Sequence, residues 1–398
     1  MTFIDFFAGI GGFRKGMELA GHKCIGFCEN DIYAVASYTS MHLVTEEQRQ
    51  ALSRIAFRIR QQKILRENFR NGEWFADDIR RLESRDIPYA DCWCFGAPCQ
   101  SFSIAGNRTG LDGESGLVLE IFRLLASIPK ENRPRYLFCE NVKGMLSSNR
   151  GFDFLRILIE MDTWGYDVQW QVLNSKAYVP QNRERVFLIG LSRRYSTPKI
   201  FPLDRNDKEN SFSVNPNRSE NRFFMDKSFT PSALKTANTL TATENRGISN
   251  HNNVGTMICE KISVEQPSRE ILVKEPTEQG FAVATENVDA VNFARLGSPT
   301  ARGMVGFRAA HTLDSDCCQG IFTSVPKELE GKSIWYDKEQ CWLTFRRLTP
   351  RECFRLQGWS DEYYERAALV NSDAQLYKQA GNSVTIPLIC DIGKRLTL

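Results

Sequence analysis

Residues 95–106 read FGAPCQSFSIAG, which sets Cys99 directly after a proline in a stretch with two glycines, two serines and no charge. A thiol so placed can serve as a nucleophile. The thiolate is the reactive form, and the free pKa of about 8.5 falls beside cations or at a helix N-terminus. The plain alternative is one more buried thiol, since the chain has 12 cysteines scattered from Cys24 to Cys390. A second chemical signal lies near the start. Gly9, Gly11 and Gly12 stand between FIDFF and RKGMELAG, and Glu29 follows about 20 residues later. Glycines let the backbone approach a ligand and turn sharply into a helix. A carboxylate at that separation can take a ribose diol. The full G-x-G-x-x-G of a pyrophosphate site is missing, which suits a nucleoside ligand without phosphates. A tight strand–helix turn with no ligand would use the same glycines.

Positioning these groups requires an alternating framework. FIDFF (3–7) and CIGFCEN (24–30) read as strands, and RKGMELAG (14–21) as the helix between them. ADDIRRL (76–82) reads as a polar loop and ADCWCFGAPC (90–99) as a further strand. GLVLEIFRLLASI (116–128) has helical spacing, while RYLFCENV (135–142), VQWQVLN (168–174) and RERVFLIG (183–190) read as strands. Alternating strands and helices predict an α/β fold with a mostly parallel sheet covered on both faces. Ligands in such sheets bind at the carboxyl ends of strands. Gly9, Glu29, Asp78, Cys99 and Glu140 all fall at or just past a predicted strand end.

Bulk composition narrows the class. The 398 residues carry a net charge of +3, so no supercharged tail announces a polyanionic partner. Apolar runs such as VFLIG are far too short to span a bilayer. The opening MTFIDFF has no basic region or cleavage site, which predicts a cytoplasmic protein. Free buried thiols are then the default. CWC (92–94) spaces its cysteines by one residue, has no histidine nearby and alternates like a strand, which argues against zinc.

Taken in order, the motifs resemble the DNA (cytosine-5)-methyltransferase family of bacteria and phages. The resemblance rests on DFFAGIGGF (5–13), FGAPCQSFSIAG (95–106), ENV (140–142), QNRERVFLIG (181–190), RLTPRECFRLQG (347–358) and QAGNSV (379–384). It reaches both ends of the chain and leaves out only about 191–343. AYVPQ (177–181) departs from the family's Tyr-Gly-Val-Pro-Gln, which predicts a shifted turn before Pro180 with the arginines beyond it retained. The resemblance implies a Rossmann-like, S-adenosylmethionine-dependent methyltransferase fold with a smaller, β-rich target-recognition domain. It implies methyl transfer to C5 of a cytosine flipped out of duplex DNA. Cys99 would add to C6, making the ring an enamine with a nucleophilic C5. Glu140 would serve N3, with Arg185 and, behind it, Arg183 holding O2 and orienting the carboxyl. Phe7, Gly9, Ile10, Gly11 and Gly12 would line the cofactor cleft. Glu29 would take the ribose hydroxyls, Asp78 and Ile79 the adenine, and Pro98, Leu117 and Asn382 would complete the cleft. Ser101, Ser103, Asn107 and Arg108, in the loop after Cys99, are the candidate phosphate contacts. The implied partners are double-stranded DNA and, in a restriction–modification pair, a cognate endonuclease. Neither a metal nor a membrane is implied, and the chain is expected to act as a monomer.

The domain boundaries follow. Residues 1–190 form the catalytic and cofactor-binding domain, to which 344–398 return, and 191–343 form the target-recognition domain. Inside the latter, ANTLTATENRGI (237–248) and AHTLDSDCCQGI (310–321) share Ala, Thr, Leu, Gly and Ile at identical offsets. They read as two similar hairpins or as a duplicated DNA-reading element, with Thr239, Leu240, Thr312 and Leu313 at its base. Residues 45–75 look helical, with seven basic and four acidic residues, and read as a solvated helix or an auxiliary phosphate-binding arm. A nicotinamide oxidoreductase would explain the glycine turn and Glu29 but leave Cys99, Glu140 and QNRER idle. A silent DNA-binding relative need not keep the nucleophile. The RNA-methylating branch of the family is generally compact where this chain has a long middle stretch.

Overall fold

Successive side chains of a strand point to opposite faces, and the strands of this protein obey that period across one central sheet. The computed structural model describes residues 1–98, 114–196, 198–203 and 348–397, and between 256 and 347 only short strands. The sheet has seven strands: β1 (Thr2–Phe6), β2 (Lys23–Cys28), β3 (Trp74–Ala76), β4 (Cys92–Phe95), β5 (Tyr136–Val142), β6 (Tyr166–Asn174) and β7 (Glu184–Ser192). Their order is β3-β2-β1-β4-β5-β7-β6. Pairing is parallel from β3 through β5, and β7 alone runs against its neighbours. That reversal brings the first residues of β7 to the carboxyl end of β5, where Arg185 pairs in register with Val142. Ile4, Phe6, Trp93, Phe95, Leu137 and Cys139 are buried on one face of the sheet, and Phe3, Cys92, Cys94, Tyr136 and Phe138 on the other. The CWC pair is therefore two buried thiols on one side of β4.

Helices cover both faces. α1 (Gly12–Leu19) joins β1 to β2, α2 (Ile32–His42) follows β2, and α3 (Glu46–Ser53) and α4 (Phe57–Ile64) precede β3. α5 (Val118–Ser127) and α6 (Phe152–Thr163) flank β5 and pack on the first face. α7 (Pro350–Leu356), α8 (Asp361–Ala368), α9 (Asp373–Asn382) and α10 (Ile386–Gly393) close the chain, and α10 packs with α1 on the second face. Gly11, at the N-cap of α1, has no side chain to satisfy the free N–H groups of the first turn. Asp5 of β1 does so instead, accepting from the Arg14 N–H at 3.2 Å. α1 then lies close on α10, because a Cβ on Gly16 would fall 2.6 Å from Ile389.

Three sequence expectations change. The polar loop of 76–82 is preceded by an edge strand, β3, which the short WFA run conceals. Residues 45–75 hold two short helices rather than one, exposed along most of their length as a solvated helix would be and pinned by one buried residue each. Leu52 and Ile64 are buried with Ala36, Val44 and Val370, and Arg60 donates to the Leu369 carbonyl at 2.6 Å. Glu140 also lies inside its strand, two residues before the end of β5. Tyr178, standing where the family has glycine, has φ of −126°, which any residue adopts, and its hydroxyl donates to Asp391 at 2.8 Å. Between Thr256 and Arg347 the described residues are short strands in sheets of two, five and three, so the described part of the middle stretch is β-rich.

Candidate active site

The first functional feature grows out of the end of β1. Phe7 (φ 54°), Gly9 (φ 54°) and Gly11 (φ 82°) all take the left-handed region. For Phe7 that conformation is strained, and such residues persist only where the surroundings enforce them. Here the Ala8 N–H donates to the Cys28 carbonyl at 3.1 Å and the Gly11 N–H to the Ala8 carbonyl at 2.8 Å. The three glycines have different reasons to be glycine. A Cβ on Gly9 would meet nothing within 4 Å, so this residue faces open space. A Cβ on Gly11 would lie 2.5 Å from His42 Nε2, and one on Gly12 would lie 2.7 Å from Val384 Cγ2. Gly12 is helical, and the absence of a side chain there makes room for the C-terminal return.

Glu29 follows β2 and closes this turn from the neighbouring strand. Its Oε2 accepts from Gly9 N–H at 2.8 Å and its Oε1 from Asp31 N–H at 2.8 Å. Burial pushes its carboxyl above the usual range, and the N–H groups of Asp31 and Gly9 oppose that push. The carboxylate can still accept a further donor, as a ribose hydroxyl would supply. Asp78 caps the short turn Ile79–Arg81 and is held by Arg80, whose Nη2 donates at 2.7 Å. The Arg80 hydrogen bond lowers its pKa. Ile79 beside it is buried, Leu117 stands half-buried just before α5, and Pro98 is half-buried. An open glycine position, a ribose-competent carboxylate and a buried apolar neighbour fit a nucleoside cofactor.

The second feature lies where β5 meets β7. Glu140 is buried, 8 % exposed, with Arg185 Nε 3.3 Å and Arg183 Nη2 4.0 Å from its Oε1. Its Oε2 lies 3.8 Å from where a Cβ of Gly96 would stand. The neighbouring Asn141 is buried and donates to the Ala97 carbonyl at 3.4 Å. Residues 96–98, the lead-in to Cys99, are thereby tied to the Glu140 strand. The guanidinium of Arg183 is anchored from the far end of the chain, donating to Gly381 O at 3.1 Å and Ser383 O at 2.9 Å. Ser383 Oγ in turn accepts from the Trp359 indole at 3.2 Å. The GNSV motif therefore contacts Gly12 on one side and Arg183 on the other, while Asn382 itself is exposed at the end of α9.

The structure thus gathers Phe7, Gly9, Ile10, Gly11 and Glu29 at one turn and Glu140, Arg183 and Arg185 at one strand end. Cys99, Ser101, Ser103, Asn107, Arg108, Thr239, Leu240, Thr312 and Leu313 lie outside the described residues. Asn141 and Ser383 lie inside the ordered motifs with no role assigned from the sequence, and His42 and Trp359 lie outside them, because each acts across the fold.

A family model described as C-5 cytosine-specific DNA methylase matches residues 1–59 and 58–397. The chain belongs to this family. It is 29% identical over 400 residues to the type II methyltransferase M.HpaII of Haemophilus parainfluenzae, covering 99% of this chain and 88% of that protein. It is 25% identical over 464 residues to the orphan methyltransferase M.SPRI of Bacillus phage SPR, covering 99% and 96%. The crystal structure of S. pombe Dnmt2 methyltransferase shares the fold, with a TM-score of 0.52 at 16% identity over 98% of this chain and 96% of that one. The protein is accordingly a C-5 cytosine DNA methyltransferase, and S-adenosylmethionine is its methyl donor. No helix among the described residues is long and apolar enough to cross a membrane.

Proposed function

We propose that this methyltransferase acts on a cytosine turned out of duplex DNA, through a transient bond between Cys99 Sγ and C6. Cytosine C5 is too weak a nucleophile to accept a methyl group directly. Thiolate addition at C6 makes the ring an enamine, and C5 then carries the electron pair. S-adenosylmethionine supplies the electrophilic methyl group. Loss of the C5 proton to a base expels the thiolate and restores the aromatic ring. Glu140, presenting a proton at N3, relieves the charge that addition places on the ring. Arg185 holds the carboxyl and the base O2, and Arg183 fixes that pair to the C-terminal return. Gly9 and Glu29 hold the nucleoside end of the cofactor, with Asp78, Ile79, Pro98, Leu117 and Asn382 around it.

The observation that carries this reading is the buried Glu140, 3.3 Å from Arg185 and beside the backbone that leads into Cys99. We further propose that residues 1–190 with 344–398 perform the chemistry and 191–343 select the DNA sequence, with Ser101, Ser103 and Arg108 on phosphates. Type II relatives such as M.HpaII support a cognate endonuclease as a partner, whereas the orphan phage relative M.SPRI supports an enzyme without one, and duplex DNA is the proposed substrate in both cases. Bisulfite sequencing of DNA from a host expressing the chain tests the reading. Protected cytosines should recur in one short sequence context and vanish with Cys99→Ala. Protection no greater than in the host without the chain would overturn it.

A further inference from the structure

Beneath the glycine turn lies an imidazole that the proposed chemistry does not use. His42 ends α2, and its Nε2 lies 2.9 Å from the Ile10 carbonyl oxygen. The ring packs among Tyr38, Trp359 and Tyr363, with centroids 4.9, 5.9 and 5.4 Å away. Burial, reinforced by Arg14, holds its pKa well below the usual histidine range, so the ring is neutral at physiological pH. A neutral imidazole carries one N–H, and the carbonyl opposite Nε2 fixes that proton on Nε2. Gly11 is what admits the ring, since a Cβ there would lie 2.5 Å from Nε2 and 2.9 Å from Tyr38. The Ile10 carbonyl belongs to the turn in which Phe7, Gly9 and Gly11 all have positive φ. A backbone of that shape needs external restraint to persist.

We propose that His42 is a positioning residue: by holding the Ile10 carbonyl it keeps the Gly9–Gly11 turn in the shape that receives S-adenosylmethionine. This rests on the assignment of that turn to the cofactor cleft. His42→Phe keeps a flat ring among the three aromatic groups and removes the N–H. His42→Gln returns an amide N–H at similar reach. A net hydrogen bond corresponds to about a 3- to 10-fold change in an equilibrium. His42→Phe should therefore weaken S-adenosylmethionine binding and raise its KM by about that factor, with kcat at saturation within about twofold of wild type. His42→Gln should recover most of the affinity. Equal weakening in both variants, or none in His42→Phe, would overturn the proposal. Nitrogen-15 spectra of the wild-type imidazole give a reading that no variant's folding can confuse. Nε2 should be protonated, and its signal should move when S-adenosylhomocysteine binds. Amide signals of Gly9 and Gly11 that move while His42 stays still would overturn the clamp alone. Amide signals that do not move at all would overturn the cleft assignment beneath it.

Discussion

At the scale of single residues the site turns on one buried carboxyl and the two arginines beside it. Arg185 lies 3.3 Å from Glu140, and Arg183 is fixed by carbonyls about 200 residues further along the chain. Replacing Glu140 with Gln keeps the volume and removes the acid. Methyl transfer should fall by roughly 10²–10⁴-fold, the usual value of general acid–base help, while DNA and cofactor binding persist in filter-binding and calorimetric assays. A variant within about threefold of wild type would show that N3 is served from elsewhere. Glu140, Arg183 and Arg185 were legible in the sequence because they sit inside ordered motifs. His42 was not, because its partner is a backbone carbonyl 32 positions away, and carbonyls leave no mark in a sequence.

Between elements the governing contacts are those of α1 with β1 and with the C-terminal return. Burial holds the Asp5 carboxyl well above the usual aspartate range, against the Arg14 N–H that favours its charge. A folded-state pKa above the unfolded value of about 3.9 means that stability is fullest below that pH and declines as pH rises toward the raised value. Asp5→Asn keeps an acceptor for Arg14 and removes the titration. Denaturation from pH 4 to neutrality should show wild type losing stability relative to the variant, whereas a constant difference would deny the burial effect. Gly12→Ala should drive a methyl group into Val384 and Ser383, lowering stability by about 1–3 kcal/mol as overpacking does. Its unfolding midpoint reports this, and an unchanged midpoint would mean that the 383–384 loop yields freely. Short apolar runs bounded by turns, together with the glycine turn, made β1, β2, β4, β5 and α1 legible beforehand. β3 escaped because three residues carry too little pattern, and the anchoring of α3 and α4 through Leu52 and Ile64 escaped because Val370, in the same buried cluster, lies about 300 residues later.

Across the whole molecule the chain starts and finishes in one α/β unit, with the β-rich stretch between. That division predicts separable effects. Changing Glu244, Asn245, Arg246 or Gln319 should relax preference at particular bases, each worth about 1–3 kcal/mol of discrimination, and leave methyl transfer at other sites intact. Changing Thr239–Leu240 or Thr312–Leu313 should disturb how a reading loop is held. If the two similar segments are separate readers, genome-wide bisulfite maps of the two sets should differ, and an unchanged motif in both would make them scaffold. The readers of this region depend on contacts with DNA that no spacing encodes. Catalysis by Cys99 needs the cofactor turn, the Glu140 pair and a flipped base to meet in one place, and a single trapping reaction reports that meeting. Fluorine at C5 cannot leave as a cation, so 5-fluorocytosine DNA with S-adenosylmethionine should leave the enzyme linked to C6 in an adduct that survives denaturation. The adduct should form with wild type and be absent with Cys99→Ala. An adduct that persists in the variant, or none with a wild-type enzyme that methylates ordinary DNA, would contradict nucleophilic catalysis by Cys99.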